Sequence, residues 1–386
     1  MQDNYLKSES QQSKDQLSKG NKKGYQNRVN QLRQRLSQSP YDALLICHAP
    51  HCRYLTGFAN DDANVAYLLV TLNELFLITD YRYAEQASAE CVACEVIVRD
   101  RVNVSLGQQV QIILQQVGAN HVAFERDYFH YGLIADIKAA LMDVQISDFS
   151  GWIEKLRLVK DSDEINCIKT AANIADEALA NTVSLLKAGI SEKEACLELE
   201  YQLQKLGSQG MSFPTIFLSG PRSALPHGTP SDRLLMHGDL ICIDFGAVVN
   251  GYRSDMTRAF SVGKPDDKQL AVYETVKMAQ QVGLDTVKAG ITGEQPFIEV
   301  KKVLDSSQFA QYQGDGLGHG VGLVLHEQPF MGPNCDMVLQ ENMVITVEPG
   351  IYIPGWGGVR IEDDVLVTLE GCEVITHAPK ALIEIE

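Results

Sequence analysis

No stretch of the 386-residue chain approaches the run of about eighteen apolar residues that a membrane-spanning helix needs. No apolar signal segment stands at the N-terminus either, so a soluble, cytoplasmic protein that does not engage membranes is expected. Basic residues are scarce: 33 Lys and Arg face 50 Asp and Glu, for a formal net charge of −17. Eight of those cations, against three acids, lie in residues 1–40, which leaves the remainder more acidic still and argues against nucleic-acid binding through a basic body. Cysteines are few and their number is odd; nine scattered thiols fit reduced side chains and not a disulfide framework. Two groupings invite other readings. Cys47-His48-Ala49-Pro50-His51-Cys52 gathers two thiols and two imidazoles in six residues, but lacks the separated ligand pairs of a zinc site. Cys91-Val92-Ala93-Cys94 is a lone CxxC without thioredoxin-like surroundings. Both read as packing and loop residues.

A chain of this length with 45% hydrophobic residues accommodates two domains, each with its own core. Residues 1–24 are polar and read as a flexible extension with no assigned role. Residues 25–155 read as an α/β domain. It has a helix over Tyr25–Leu36, short buried strands at Ala43–Cys47, Ala66–Val70 and Leu75–Thr79, and helices at Tyr83–Ala89, Leu106–Val117 and Tyr131–Leu141. The boundary falls within Gly151–Lys160, and residues 156–386 form the second domain. There, Asp161-Ser162-Asp163-Glu164 has the form of a capping box. Ile165, Ile168, Ala172, Ala175 and Leu179 follow at helical spacing. Ser191 opens a second helix that ends at Gly207, and others follow at Asp267–Lys288 and Gln295–Leu304, alternating with strands. The pattern is α+β, with helices covering one face of a curved antiparallel sheet.

The chemistry concentrates from Leu240 onward. Leu240–Val262 reads as two strands joined at Asn250-Gly251, the dipeptide favoured in type I′ hairpin turns. That turn sets Val249 opposite Tyr252 and Gly246 opposite Asp255, making Asp244 and Asp255 diagonal neighbours on one face, their Cβ atoms roughly 7 Å apart or less. Two acids in so apolar a hairpin ask for positive charge. Arg253 and Arg258 are one source, with the acids as ordinary ion pairs or turn caps. The other source is a metal. Gly318-His319-Gly320-Val321-Gly322 sets an imidazole between glycines that let the backbone come close to whatever it binds. Glu348 ends an apolar strand, and Glu362 lies in Val359-Arg360-Ile361-Glu362-Asp363-Asp364-Val365, where alternation puts Arg360 and Glu362 on one face. Four carboxylates and one histidine point to a site for two divalent metals, whose charge four carboxylates balance.

With the strings IDFG, SDMTR, GHGVG, VEPGIY and GVRIEDD in this order, the chain from about residue 40 resembles the M24 metallopeptidase family, and within it the Xaa-Pro peptidases, prolidase and aminopeptidase P. The resemblance implies a C-terminal pita-bread fold with the metal acids on the concave face of its sheet. Arg53–Phe58 and Leu77–Ala87 resemble the creatinase-type N-terminal domain, which in this family contributes to dimerisation and to the active-site entrance, so a homodimer is expected. It further implies that Asp255 and Glu362 bridge the two ions, that Asp244 completes one site, and that His319 and Glu348 complete the other. Glu348 is then also the proton shuttle, and Arg360 a donor that orients the acids. His326 would hydrogen-bond the scissile carbonyl or its oxyanion, and His227 would flank the bond and the proline. An oxygen-rich ligand set suits Mn²⁺, with Co²⁺, Fe²⁺ or Zn²⁺ as alternatives.

One residue departs from the family pattern. Asp315 stands four residues before His319, where this branch commonly has histidine, which bears on pH dependence or on the pocket before the proline. The expected activity is hydrolysis of Xaa-Pro bonds at the N-terminus of short peptides. A dipeptidase is favoured over an aminopeptidase P acting on longer ones. Methionine aminopeptidase is disfavoured by the creatinase-like N-terminal domain, creatinase by the full ligand set, and a non-enzymatic peptide-binding module by the intact site.

Overall fold

The chain divides between Leu156 and Arg157 into two units, each with its own hydrophobic core. The structure is a computed structural model that describes residues 23–60, 62 and 64–386. Of the polar extension expected over residues 1–24, residues 1–22 lie outside the described residues, and the last two open helix α1 (23–36). No helix among the described residues is long and apolar enough to cross a membrane.

In the first unit, continuous aliphatic runs give β1 (Ala43–Ile46), β2 (Tyr67–Thr71) and β3 (Leu75–Thr79), buried along their whole length. They pair antiparallel, and the parallel strands β4 (Glu95–Val98), β5 (His121–Glu125) and β6 (Gln145–Phe149) extend them into one sheet ordered β4-β3-β2-β1-β5-β6. Sequence periodicity passes over the last three strands; β4 and β6 are half-exposed edges, β4 with an apolar run of only three residues and β6 with none. Helices α2 (Ala49–Thr56), α3 (Ala84–Glu90), α4 (Leu106–Val117) and α5 (Tyr131–Ala140) complete the unit.

Helix α2 corrects the loop expected at Cys47–Cys52. Pro50 occupies its first turn, a position where the missing N–H costs nothing, and His51 and Cys52 are helical and buried. The imidazole of His51 meets Glu125 at 2.6 Å, and the same carboxylate accepts the N–H groups of Cys47 (2.8 Å) and His48 (3.0 Å). The cluster thus anchors the start of a helix.

Helix α6 (Trp152–Arg157) leads into the second unit, where α7 (Ser162–Val183) and α8 (Glu192–Lys205) both begin with complete capping boxes, at Asp161/Glu164 and Ser191/Glu194. Of the expected stripe on α7, Ile168, Ala172, Ala175 and Leu179 are buried. Two sheets follow. One is ordered β19-β11-β8-β7, from β7 (Ile216–Ser219), β8 (Leu240–Phe245), β11 (Met256–Val262) and β19 (Ile383–Ile385). Between β8 and β11 lies the hairpin of β9 (Val248–Val249) and β10 (Tyr252–Arg253). The other is ordered β13-β12-β14-β17-β18, from β12 (Gly318–Gly320), β13 (Glu327–Met331), β14 (Val344–Val347), β17 (Asp363–Val367) and β18 (Cys372–Val374). A further hairpin, β15 (Gly350–Ile353) with β16 (Gly357–Arg360), precedes β17.

Helices α7 and α8 share a core with the inward side chains of the first sheet, among them Phe217, Ile241, Ile243 and Phe245. Helices α9 (Asp267–Thr286) and α10 (Glu294–Asp305) do the same for the second, against Ile345, Val347, Val365 and Val367. Strand alternation then sends Asp244, Thr346 and Asp364 to the faces opposite the helices. In place of one continuous antiparallel ladder there are two, and β19 runs parallel to β11. They are stitched together where Glu362 donates its N–H to the Thr257 carbonyl (3.2 Å) and Asp255 donates its N–H to the Asp364 carboxylate (2.8 Å).

The expected hairpin register holds in both pairing segments: Val249 faces Tyr252, Phe245 faces Met256 and Asp244 faces Thr257. Asn250 (φ 49°) and Gly251 (φ 77°) both take the left-handed conformation that a type I′ turn demands. Between the two pairing segments, a Cβ at Gly246 would collide with the backbone carbonyl of Ser254, immediately before Asp255. Gly246→Ala should therefore destabilise the fold by roughly 3 kcal/mol, lowering the melting temperature by about 6–12 °C. Gly371→Ala, where a Cβ meets nothing within 4 Å, should melt like the parent protein.

Candidate metal centre

The crossing of the two sheets gathers residues that are far apart in sequence. Asp244 projects from β8, Asp255 immediately precedes β11, His319 lies in β12, Glu348 follows β14, and Glu362 stands between β16 and β17. Ligand atoms of Asp255, His319 and Glu362 lie within 4.8 Å of one another. His319 Nε2 is 3.3 Å from Glu348 Oε1 and 3.6 Å from Asp255 Oδ2. All five residues open into one cavity of about 1000 Å³.

Asp244, Asp255, His319 and Glu362 are buried, and Glu348, its side chain 25% exposed, is the most open of the acids. Burial pushes the Asp255 carboxyl well above the usual carboxylate range, and Glu362 and Asp244 add to the shift. Glu362 is raised in the same way, by burial and then by Glu348 and Asp244. For Asp244 burial outweighs the opposing pull of Arg360. Glu348 behaves differently: burial would raise it, but the hydrogen bond and charge of His319 bring it below its ordinary value. Reciprocally, Glu348 overrides the burial of His319 and raises the imidazolium. These acids repel one another and need positive charge.

Among the described residues, Asp244 Oδ1, Asp255 Oδ1, Glu362 Oε1 and Asp364 Oδ1 are buried and accept no hydrogen bond. Asp255 and Glu362 cluster with the His319 imidazole and Asp244 lines the same cavity, an arrangement with the chemistry of a divalent-cation cage. The other carboxylate oxygens are held. Thr257 Oγ donates to Glu362 Oε2 (2.6 Å) while accepting from Arg360 Nε (2.9 Å), and Thr346 Oγ donates to Glu348 Oε1 (3.0 Å). Arg360 also donates to Asp244 Oδ2 and to the Tyr352 hydroxyl (2.8 Å). The cation beside Asp244 is thus Arg360, whereas Arg258 pairs at 2.7 Å with Asp363 on the far side of the strand.

The glycines around His319 serve a different purpose from the one expected. A Cβ at Gly318 would strike the Thr346 carbonyl, and one at Gly320 the Gln328 carbonyl, so these glycines admit neighbouring backbone. His326 stands edge-on to His319, ring centroids 4.4 Å apart, with its pKa lowered by burial and by the neighbouring His319. His227 is exposed and lines the same cavity, as does the exposed Asp315. Sequence reasoning missed Thr257, Thr346 and Tyr352, which orient the acids and Arg360, and gave no role to Asp364. Its signal was present, because Asp364 is one alternation from Glu362; burial raises its carboxyl to about 8.

Residues 166–369 match the metallopeptidase family M24, and residues 28–159 match the creatinase/prolidase N-terminal domain. A Xaa-Pro dipeptidase of Pyrococcus horikoshii is 34% identical over 349 residues, covering 90% of this chain and 96% of its own. Among solved structures, a Xaa-Pro dipeptidase from Bacillus anthracis is similar with a TM-score of 0.89 at 38% identity, over 94% of this chain and 100% of that one. A X-Pro aminopeptidase from Thermotoga maritima is similar with a TM-score of 0.86 at 35% identity, over 92% and 99%. This chain therefore belongs to metallopeptidase family M24, peptidases that use divalent metal, with a creatinase-type N-terminal domain before a pita-bread domain.

Proposed function

We propose that this enzyme is a Xaa-Pro dipeptidase that cleaves the bond before proline in short peptides. Two divalent ions, Mn²⁺ foremost, would be held by Asp244, Asp255, His319, Glu348 and Glu362. The observation that carries the reading is the set of orphaned buried carboxylate oxygens beside His319 in one open cavity. When bound, such ions polarise the scissile carbonyl and make water nucleophilic at neutral pH.

The side chains supply the rest. Glu348, the most solvent-accessible acid, takes the proton of the attacking water and delivers it to the proline nitrogen as the C–N bond breaks. That nitrogen leaves as a secondary amine and needs the proton. His326, held towards its neutral form, keeps an N–H to donate to the carbonyl oxygen as negative charge develops there. His227 contacts the substrate from the opposite loop, and Arg360 keeps Asp244 oriented. The likeness to the Thermotoga maritima X-Pro aminopeptidase supports a second reading, an aminopeptidase P type that accepts longer peptides. The proposal extends to a cytoplasmic homodimer on the family resemblance.

Metal-stripped protein refilled with Mn²⁺ should hydrolyse Ala-Pro, and Asp255→Ala should not. Cleavage of Ala-Pro-Ala as well would favour the aminopeptidase, and loss of all metal-dependent cleavage would overturn both readings. Mn²⁺ at about 100 times its Kd should stabilise the stripped protein against unfolding by about 2.7 kcal/mol, an increment absent in Asp255→Ala. Thr257→Val, which deletes the hydroxyl between Arg360 and Glu362, should weaken Mn²⁺ binding by roughly 10–100-fold in a calorimetric titration.

A further inference from the structure

Glu192, the first residue of α8, is fully buried and takes no part in the chemistry above. Its Oε1 accepts from the N–H (2.8 Å) and hydroxyl (2.9 Å) of Ser219, and its Oε2 from the N–H (3.0 Å) and hydroxyl (2.8 Å) of Ser231. Arg222 Nε adds a charged donor at 3.0 Å. Ser219 ends β7 and Ser231 lies beyond the following loop, so one carboxylate ties both ends of that loop to the start of a helix. Across the loop, Arg222 Nη2 donates to the Thr229 carbonyl at 2.5 Å. At its tip, the Pro226 carbonyl accepts from Arg360 Nη1 at 3.4 Å, and His227 reaches the cavity.

Burying a carboxylate is favourable only when its lone pairs are filled, and here five donors fill them. All but Arg222 belong to the two ends of the segment that presents His227. A carboxylate suits this position because both of its oxygens accept. An amide would turn an N–H₂ towards the Ser219 or the Ser231 N–H and release one end of the loop.

We propose that Glu192 is the positioning residue for His227: by closing the Ser219–Ser231 loop it fixes how far His227 projects into the cavity, and so how tightly substrate is held. The kinetic half of this inference rests on the Xaa-Pro peptidase reading, and the structural half does not.

The test is Glu192→Gln in the full chain loaded with Mn²⁺, read by hydrogen exchange and by steady-state kinetics on Ala-Pro, alone and combined with His227→Ala. Exchange at the hydrogen-bonded amides of Ser219, Leu225 and Ser231 should quicken by about tenfold or more, with the α7 and β8 amides unchanged. The KM should rise about tenfold with kcat within about twofold, and the same substitution in the His227→Ala background should change KM by less than about twofold. If Glu192→Gln does not fold, Ser231→Ala, which removes one of the bonds, is read in the same way with an expected KM rise of about threefold. Unchanged loop exchange, or a KM effect of equal size in both backgrounds, would overturn the proposal. Failure of the peptidase reading looks different: the parent protein would cleave neither Ala-Pro nor Ala-Pro-Ala, while exchange would still report on the loop.

Discussion

Negative charge held out of water is the constraint on which the second unit depends. Two like charges about 4 Å apart repel by roughly 4 kcal/mol at an effective dielectric of 20, and Asp244, Asp255, Glu362 and Asp364 are all buried. Arg360 and His319 offset part of that repulsion. One oxygen of each acid accepts nothing from the described residues, and those of Asp255 and Glu362 belong to carboxylates whose ligand atoms cluster with His319, where a divalent ion would satisfy them. Ionised acids this close together repel, so the rest of the unit must hold a locally unfavourable arrangement in place.

It does so from behind. Glu362, Asp363 and Asp364 follow one another at the entry to β17, and alternation turns the middle one towards the helices. Asp363 accepts there from Arg258 (2.7 Å), Lys380 (2.7 Å), Gln280 of α9 (2.7 Å) and Thr376 (2.9 Å). Burial alone would raise its pKa, but Arg258 and Lys380 hold it below the usual value. Arg258 also donates to the Glu362 carbonyl at 2.5 Å, so the network that neutralises Asp363 fixes the backbone of its neighbour on the opposite face. Removing one member would strand a buried charge, which makes such a network more effective at fixing geometry than at adding net stability.

Carboxylates recur as anchors elsewhere. Glu125 receives two backbone N–H groups and His51 where α2 begins, and Glu192 receives both ends of the loop that carries His227. Glu327, next to His326, meets Lys160 at 2.8 Å and also Arg157. In each case an acceptor-only group collects two or more donors; Glu125 and Glu327 each gather them from one short stretch, and Glu192 from two separate ones.

What the sequence by itself determined was local. The Asn250-Gly251 turn fixed the register that puts Asp244 and Asp255 on one face, the boxes at Asp161 and Ser191 fixed two helix starts, and five short strings carried the ligand candidates. Each rests on interactions within a few residues, which spacing exposes. The partners of those residues were not legible. Which arginine meets Asp244, why glycines flank His319, that Thr257 links Arg360 to Glu362, and that Cys47–Cys52 opens a helix all depend on strands distant in sequence meeting in space. The edge strand β6 escaped for the same reason, because it is the neighbouring strand that stabilises it and not its own apolar pattern, and the apolar run of β4 is only three residues long. Only the tertiary structure decided these points, since hydrogen bonding and charge pairing between remote segments leave no periodicity in the chain.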